Sequence, residues 1–405
     1  MATQIKKRKK PYLYEVDLMR VIFIFGVLAN HATSMVTEPM ASTGKPYVIM
    51  LATHLILHFT RMGFMFISGL VLFLQYYHKQ NNVWPTFWLK RYKGSGIPYI
   101  FWNGFLTLFT VFVGAGSLSF AQFGTQWWTH LIKADGFYMY YIFVMFQLYL
   151  IFPLLVWLFK KLGSMRNHLI LMGISLAFQI AFTFWAKYYF PYISHAGWPD
   201  IFLHYGNNIL SYQFYFLVGG FYSIHYKEVV AFLGKVKWPL YSITALLALG
   251  TFALYRFNTD VLGLTRHYAE LIHQPYLVIY ASFMVATVFS LSLGYAKRHT
   301  RPRWQPFAKF VALSSKISFG IYLTQSIMLT LMTEVIAKIH LSDWTWLISA
   351  PLVYVIALGG TWLISYFLYK VPPFGILIGR PNLHFKKKAL AAKPQSDSAE
   401  LPASK

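Results

Sequence analysis

The stretch MRVIFIFGVLANHA, Met19 to Ala32, decides the fold class. It reads as the start of a membrane span, yet it carries Arg20 near one end and His31 further in. Charged and titratable groups are costly in hydrocarbon, so two on one span call for an explanation. Taken singly, Arg20 reads as a snorkelling residue at an interface and His31 as a buried, hydrogen-bonded imidazole. Their spacing changes that reading. Eleven positions on an α-helix advance ~16 Å and return to within about 20° of the same face. Arg20 and His31 are therefore the two ends of one polar stripe. Asn30 and Ser34 add polarity close to His31, and Asp17 stands three residues before Arg20, where it can pair with it.

The rest of the chain repeats the first signal. Of 405 residues, 57% are hydrophobic, 20% aromatic and only 12% charged. Soluble domains carry about a quarter charged residues. Apolar runs of about 20 residues recur throughout, as expected of an all-α polytopic membrane protein whose spans each satisfy their own backbone hydrogen bonds. Ten spans are expected, near 15–37, 52–76, 96–117, 137–159, 168–186, 206–225, 238–256, 275–295, 315–337 and 345–369. KKRKK (6–10) ahead of a long apolar run reads as a retained signal anchor with a cytoplasmic N-terminus. With ten spans both termini are cytoplasmic. Only Lys45, Arg61, Lys133, Lys187, Arg256, Arg266 and Lys338, of 36 basic residues, then fall on the outer side. This distribution explains the net charge of +24 without nucleic acid, because the positive charges flank apolar runs. The organisation expected is a basic cytoplasmic N-terminus (1–14), a transmembrane domain (15–370) and a polar cytoplasmic tail (371–405), disordered toward its end. No internal repeat is visible. There is no cysteine, which excludes disulfides, thiolate nucleophiles and cysteine metal sites.

Three further segments carry chemistry. HLILHFTRMGFMFISGL (54–70) sets His54 and His58 four apart on one helical face, with Arg61 next round, at the depth of His31. No carboxylate completes a metal ligand set there, so no metal is expected. WLKRYKGSGIPYIFW (88–102) clusters Lys90, Arg91 and Lys93 at the cytoplasmic mouth, where cations suit a phosphorylated ligand. The outer segments 125–141, 187–208 and 256–274 mix aromatic residues and histidine with Asp200, Asn207, Asn208 and Asp260. They read as interfacial belt, or as a surface that stacks on sugar rings.

Five segments, in this order, resemble the acyltransferase family 3 membrane proteins. They are YEVDLMRVIFIFGVLANHA (14–32) with its Arg20-x₁₀-His31, FMFISGLVLF (64–73) with Ser68 and Gly69, and KRYKGSGIPY (90–99). GFYMYYIFVMFQLYLIFPLL (136–155) and SKISFGIYLTQ (315–325) complete the set. The likeness spans residues 12 to about 370 and is closest to single-domain members of the intercellular adhesion protein C kind, with no SGNH-type domain after the last span. It implies O-acylation of an extracytoplasmic cell-envelope glycan at a bacterial plasma membrane. The donor it implies is a cytoplasmic acyl-CoA, most often acetyl-CoA. By matching, Arg20 contacts the CoA phosphates with help from Arg91 and Lys93, and His31 is catalytic. An imidazole suits either role, as base for the acceptor hydroxyl or as acyl carrier. Asp17, Asn30, His58, Arg61, Ser68, Tyr322 and Gln325 are expected to support the substrates. Gln325 stands where the family often has histidine. The alternative is an exporter of a polysaccharide or lipid-linked glycan, which neither binds nor consumes acetyl-CoA. The lack of a midplane Asp or Glu weighs against proton-coupled transport.

Overall fold

A computed structural model of the protein describes residues 12–79 and 83–381, with His267 described by its backbone alone. The N-terminal basic run and the residues after 381 lie outside the described part. The described residues form helices α1 (Tyr14–Thr37), α2 (Lys45–Leu57), α3 (Thr60–Tyr76), α4 (Trp84–Val113), α5 (Phe120–Lys133), α6 (Tyr140–Leu162) and α7 (Met165–Tyr188). They continue with α8 (Asp200–Leu203), α9 (Gln213–Ile224), α10 (Tyr226–Arg256), α11 (Arg266–Ala269), α12 (Pro275–Ala296), α13 (Gln305–Ile336) and α14 (Asp343–Lys370). No strand occurs among them.

Nine helices among the described residues are long and apolar enough to cross a membrane, against the ten spans expected. The difference is the 206–225 segment. Its first part is a pair of single 3₁₀ turns, and only the 12 residues of α9 are α-helical. Local polar bonds account for this. The Asn208 side chain accepts from the Leu210 amide at 3.0 Å, and Ser211 Oγ donates to the Tyr205 carbonyl at 2.6 Å. Such bonds offer the backbone an alternative to the helix ladder. The second expected span is also broken, into α2 and α3, at His58–Phe59.

α1 is the central helix and packs against α2, α3, α12, α13 and α14. α3 and α9 make the most extensive pair, through a close backbone approach. A Cβ on Gly219 would run into the backbone of Phe66, and one on Gly69 into the carbonyl of Phe216. Small residues let membrane helices pack by dispersion where no hydrophobic force between helices is available.

The chain does not leave the bundle at residue 370. Pro372 and Pro373 end α14, and a 3₁₀ turn over Phe374–Ile378 folds back. Trp102 Nε1 donates to the Leu377 carbonyl at 2.8 Å, and Ile378 is buried beside Tyr99, Trp102 and Ile321. Gly379 then turns the chain with φ +67°, against the carbonyl of Gly94. A side chain would suffer both from that φ and from that neighbour. Trp102, Ile378 and Gly379 thus tie the first residues after α14 to the bundle.

Candidate active site

One elongated cavity of about 1280 Å³, mouths included, runs beside α1. Arg20, Val27 and His31 line it from a single face of that helix, as the eleven-residue spacing requires. The end near Arg20 is cationic, with Arg91 from α4, Lys316 from α13 and Arg380 from the turn after Gly379. The middle is a largely apolar sleeve of Val27, Phe64, Ile67, Val71, Leu72 and Met145, with Ser68 set into it. The far end gathers Asn30, His31, His58, Arg61, Tyr138, Tyr140, Tyr322 and Gln325.

Arg20 is held beside a buried carboxylate and not by an ion pair. Asp17 accepts from Tyr12 Oη and from Ser315 Oγ, each at 2.7 Å. The expected Asp17–Arg20 pair is absent from the ion pairs of the described residues, because those two hydroxyls occupy the carboxylate. Arg91 donates to Gln75 Oε1 at 2.7 Å and rests against the rings of Tyr76 and Phe87. Its Nε is buried without a partner. Lys93 is exposed and does not line the cavity. A helix turns by about 100° per residue, so Arg91 and Lys93 face different directions.

At the far end the His31 ring lies under Tyr138, with centroids 4.0 Å apart and planes at 37°. Neither ring nitrogen of His31 has a hydrogen-bond partner among the described residues. His54 Nδ1 sits among Thr33 Oγ1 (2.9 Å), the Asn30 carbonyl (3.2 Å) and Asn30 Nδ2 (3.2 Å). His54 and His58 join Nε2 to Nε2 at 3.0 Å, within hydrogen-bond distance. His58 Nδ1 is buried and unpaired. Gln325 is fully buried, and neither its Nε2 nor its Oε1 has a partner. Such groups cost about 1–3 kcal/mol each when unsatisfied, so they suit a polar ligand in the cavity. Arg61 stacks on Tyr140 at 5.1 Å and forms no ion pair among the described residues. Ser68 Oγ meets Tyr141 Oη at 2.7 Å, and Tyr322 Oη donates to the Tyr138 carbonyl at 2.5 Å.

The cavity thus collects Arg20, Asn30, His31, His58, Arg61, Ser68, Arg91, Tyr322 and Gln325, and leaves out Lys93 and Asp17. Asp17 reaches it through Ser315. Lys316, Arg380, Tyr138 and Tyr141 line it without having been singled out in the sequence. Lys316 had a signal, because it stands between two small hydroxyl residues, Ser315 and Ser318, on a helix. The aromatic cluster between residues 185 and 205 does not reach the cavity. Trp185, Phe190, His195, Trp198 and Tyr205 pack on one another instead.

The apolar helices, the cationic mouth and the free imidazole are joined by a family match. The acyltransferase domain of acyltransferase family 3 matches residues 13–366, nearly all of the described chain. No curated protein and no solved structure gives a match. The match runs from the start of α1 into the last turns of α14 and includes all of the cavity except Arg380, and the chain belongs to acyltransferase family 3.

Proposed function

We propose that this chain moves an acyl group, most often acetyl, from cytoplasmic acyl-CoA to a hydroxyl of an extracytoplasmic cell-envelope glycan in a bacterial plasma membrane. Membership of an acyltransferase family and the apolar helices support acyl transfer at a membrane. The single observation that carries the finer reading is the cavity shared by Arg20 and His31. A donor with phosphates at one end and a thioester at the other needs a cationic mouth, a narrow sleeve and a base about 16 Å away. Arg20, Arg91, Lys316 and Arg380 supply the first, and guanidinium groups suit phosphate oxygens. The basic mouth is then the cytoplasmic one, and since Arg20 near the start of the described chain and Arg380 near its end both line it, both ends of the described chain lie on that side.

The chemistry asks little of the far end. The acceptor hydroxyl gives its proton to a bare nitrogen of His31, and its oxygen attacks the thioester carbonyl carbon. The C–S bond breaks, and the imidazolium returns the proton to the leaving thiolate. Alternatively the imidazole first takes the acyl group itself and the thiolate leaves with breakage of the C–S bond; the hydroxyl then attacks the acyl carbon, the C–N bond to His31 breaks, and the freed nitrogen takes the hydroxyl proton and passes it to solvent. In both cases the carbonyl oxygen becomes negative, and Arg61 with its unopposed charge is placed to stabilise it. Gln325 and His58 offer the polar contacts that hold the acceptor.

The test compares cells carrying the wild type, His31→Ala or no copy, at equal membrane abundance. Base-labile esters are released from each purified envelope polymer, and acetate and succinate are measured. The reading requires one polymer to lose its ester with His31→Ala. Unchanged esters, with a polymer missing from the surface, favour the exporter.

A further inference from the structure

The cavity stops under Tyr138, but the path along α13 does not. Ser315, Ser318, Tyr322 and Gln325 line the cavity from one side of that helix, and Ser326, Thr330, Thr333 and Glu334 carry the same side onward. The second group lines a separate cleft of about 1240 Å³ at the end of the bundle away from Lys316. Asp135, Phe137 and Asn207 form its other wall. Tyr138 and Tyr140 line both spaces, so these two rings are the partition between them.

The partition has an unusual backbone. Phe137 and Tyr138 are consecutive bulky residues in the left-handed region, at φ +55° and +62°. Each costs about 1–2 kcal/mol and persists only where surrounding contacts enforce it. The enforcing contacts come from α13: Tyr322 Oη donates to the Tyr138 carbonyl at 2.5 Å, and Ser326 Oγ to the Phe137 carbonyl at 3.2 Å. Tyr138 is 42% exposed, so it is not locked in a core. A strained turn held by two hydroxyls, over an imidazole with no hydrogen-bond partner among the described residues, is built to move.

We propose that the far-end cleft is the acceptor subsite for an uncharged or cationic saccharide, and that the Tyr138 turn is the gate through which its hydroxyl reaches His31. The ligand class follows from the walls. Aromatic faces and hydroxyls suit sugar rings. Two carboxylates, Asp135 and Glu334, accept hydroxyl or ammonium hydrogen bonds and repel a polyanion. Behind that wall His130 Nδ1 lies 3.1 Å from Asp135 Oδ1. This reading rests on the acyltransferase proposal and its orientation.

The chain has no cysteine, so an introduced one is unique. Val27→Cys marks the cavity and Thr330→Cys marks the cleft. Each is exposed on intact cells to a membrane-impermeant maleimide. Thr330→Cys is expected to label readily, whether or not Tyr138 is changed. Val27→Cys is expected to label at least about tenfold faster with Tyr138→Ala, and faster with Ser326→Ala, which loosens the turn without touching His31. Equal Val27→Cys rates in all backgrounds, or an unreactive Thr330→Cys, overturn the gate. If Tyr138→Ala alone changes Thr330→Cys labelling, it has disturbed the fold, and Ser326→Ala decides.

For the ligand class, dextran or chitosan oligomers are expected to slow Thr330→Cys labelling at least about fivefold, and polygalacturonate to leave it unchanged. Protection by none of them, or equal protection by polygalacturonate, overturns the class. Labelling needs no acyl transfer. Failure of the transferase reading shows instead as unchanged glycan esters with His31→Ala.

Discussion

Ser315 Oγ donates to Asp17 Oδ1 at 2.7 Å across the α1–α13 interface, and the Tyr12 hydroxyl holds the other carboxylate oxygen. This bridge sets one side of the cationic mouth, because Ser315 and Arg20 both line the cavity. Removing a buried acceptor leaves its donors unpaired, at about 1–3 kcal/mol. Asp17→Ala is expected to raise the KM for acyl-CoA roughly tenfold, or about 1.4 kcal/mol, with little change in kcat. Asp17→Asn, which keeps an acceptor, is expected to recover most of the loss. Donor titration of thiol release checks this. A fall in kcat at unchanged KM would mean that Asp17 acts on the chemistry and not on Arg20.

Arg91 and Lys93 are two positions apart and make opposite predictions. Arg91 lines the cavity, and Lys93 is exposed. Arg91→Ala is expected to weaken acyl-CoA binding about tenfold, and Arg380→Ala by a similar factor, each losing one phosphate contact of about 1–3 kcal/mol. Lys93→Ala is expected to change it by less than about twofold. The effects of Arg91→Ala and Arg380→Ala fade as salt rises, since exposed charges are screened. Equal sensitivity at Arg91 and Lys93 would put the phosphates outside the cavity mouth.

The Arg20–His31 stripe was legible because it depends on one helix, whose geometry is known once the helix is assigned. Spacing places both residues on one face with no tertiary information. Arg380 was illegible for the opposite reason. It reaches the mouth only because Pro372 and Pro373 end α14, Trp102 catches the Leu377 carbonyl and Gly379 turns against Gly94. None of those contacts is local. Tyr138 is a similar case, since two successive positive φ values in GFYM leave no signal in residue type. The 206–225 segment was read as one continuous span because its hydropathy is right, whereas only α9 of it is α-helical. Asn208 and Ser211 spend their side chains on the backbone and divide it.

Gly219 is expected to be, with Gly69, among the least replaceable small residues in the bundle. Its position faces the backbone of Phe66, which cannot rotate away as a side chain would. Gly219→Ala must push α3 and α9 apart, losing dispersion along their whole interface. Overpacking of this kind costs about 1–3 kcal/mol or more. Membrane abundance and melting temperature in detergent are expected to fall. Gly173→Ala, with nothing within 4 Å, is the matched control and is expected to be neutral or stabilising. If both variants behave alike, the close α3–α9 approach is not what holds them together.

Gln325 separates a ligand-binding role from a packing role by the sign of two effects. Its carboxamide is fully buried beside the cavity, with both polar atoms unpaired. Gln325→Leu has nearly the same volume and removes the unsatisfied groups, so the empty protein is expected to gain about 1 kcal/mol. In a membrane protein of this size that is a rise of a few degrees in melting temperature. The same change is expected to cut transfer to the glycan at least about tenfold, because the acceptor loses a donor and an acceptor at once. His31→Ala in the same assay stops transfer without the matching gain, since its imidazole stands open to the cavity. A Gln325→Leu protein that is less stable and equally active would make the carboxamide a structural element, and its role toward the acceptor would fall.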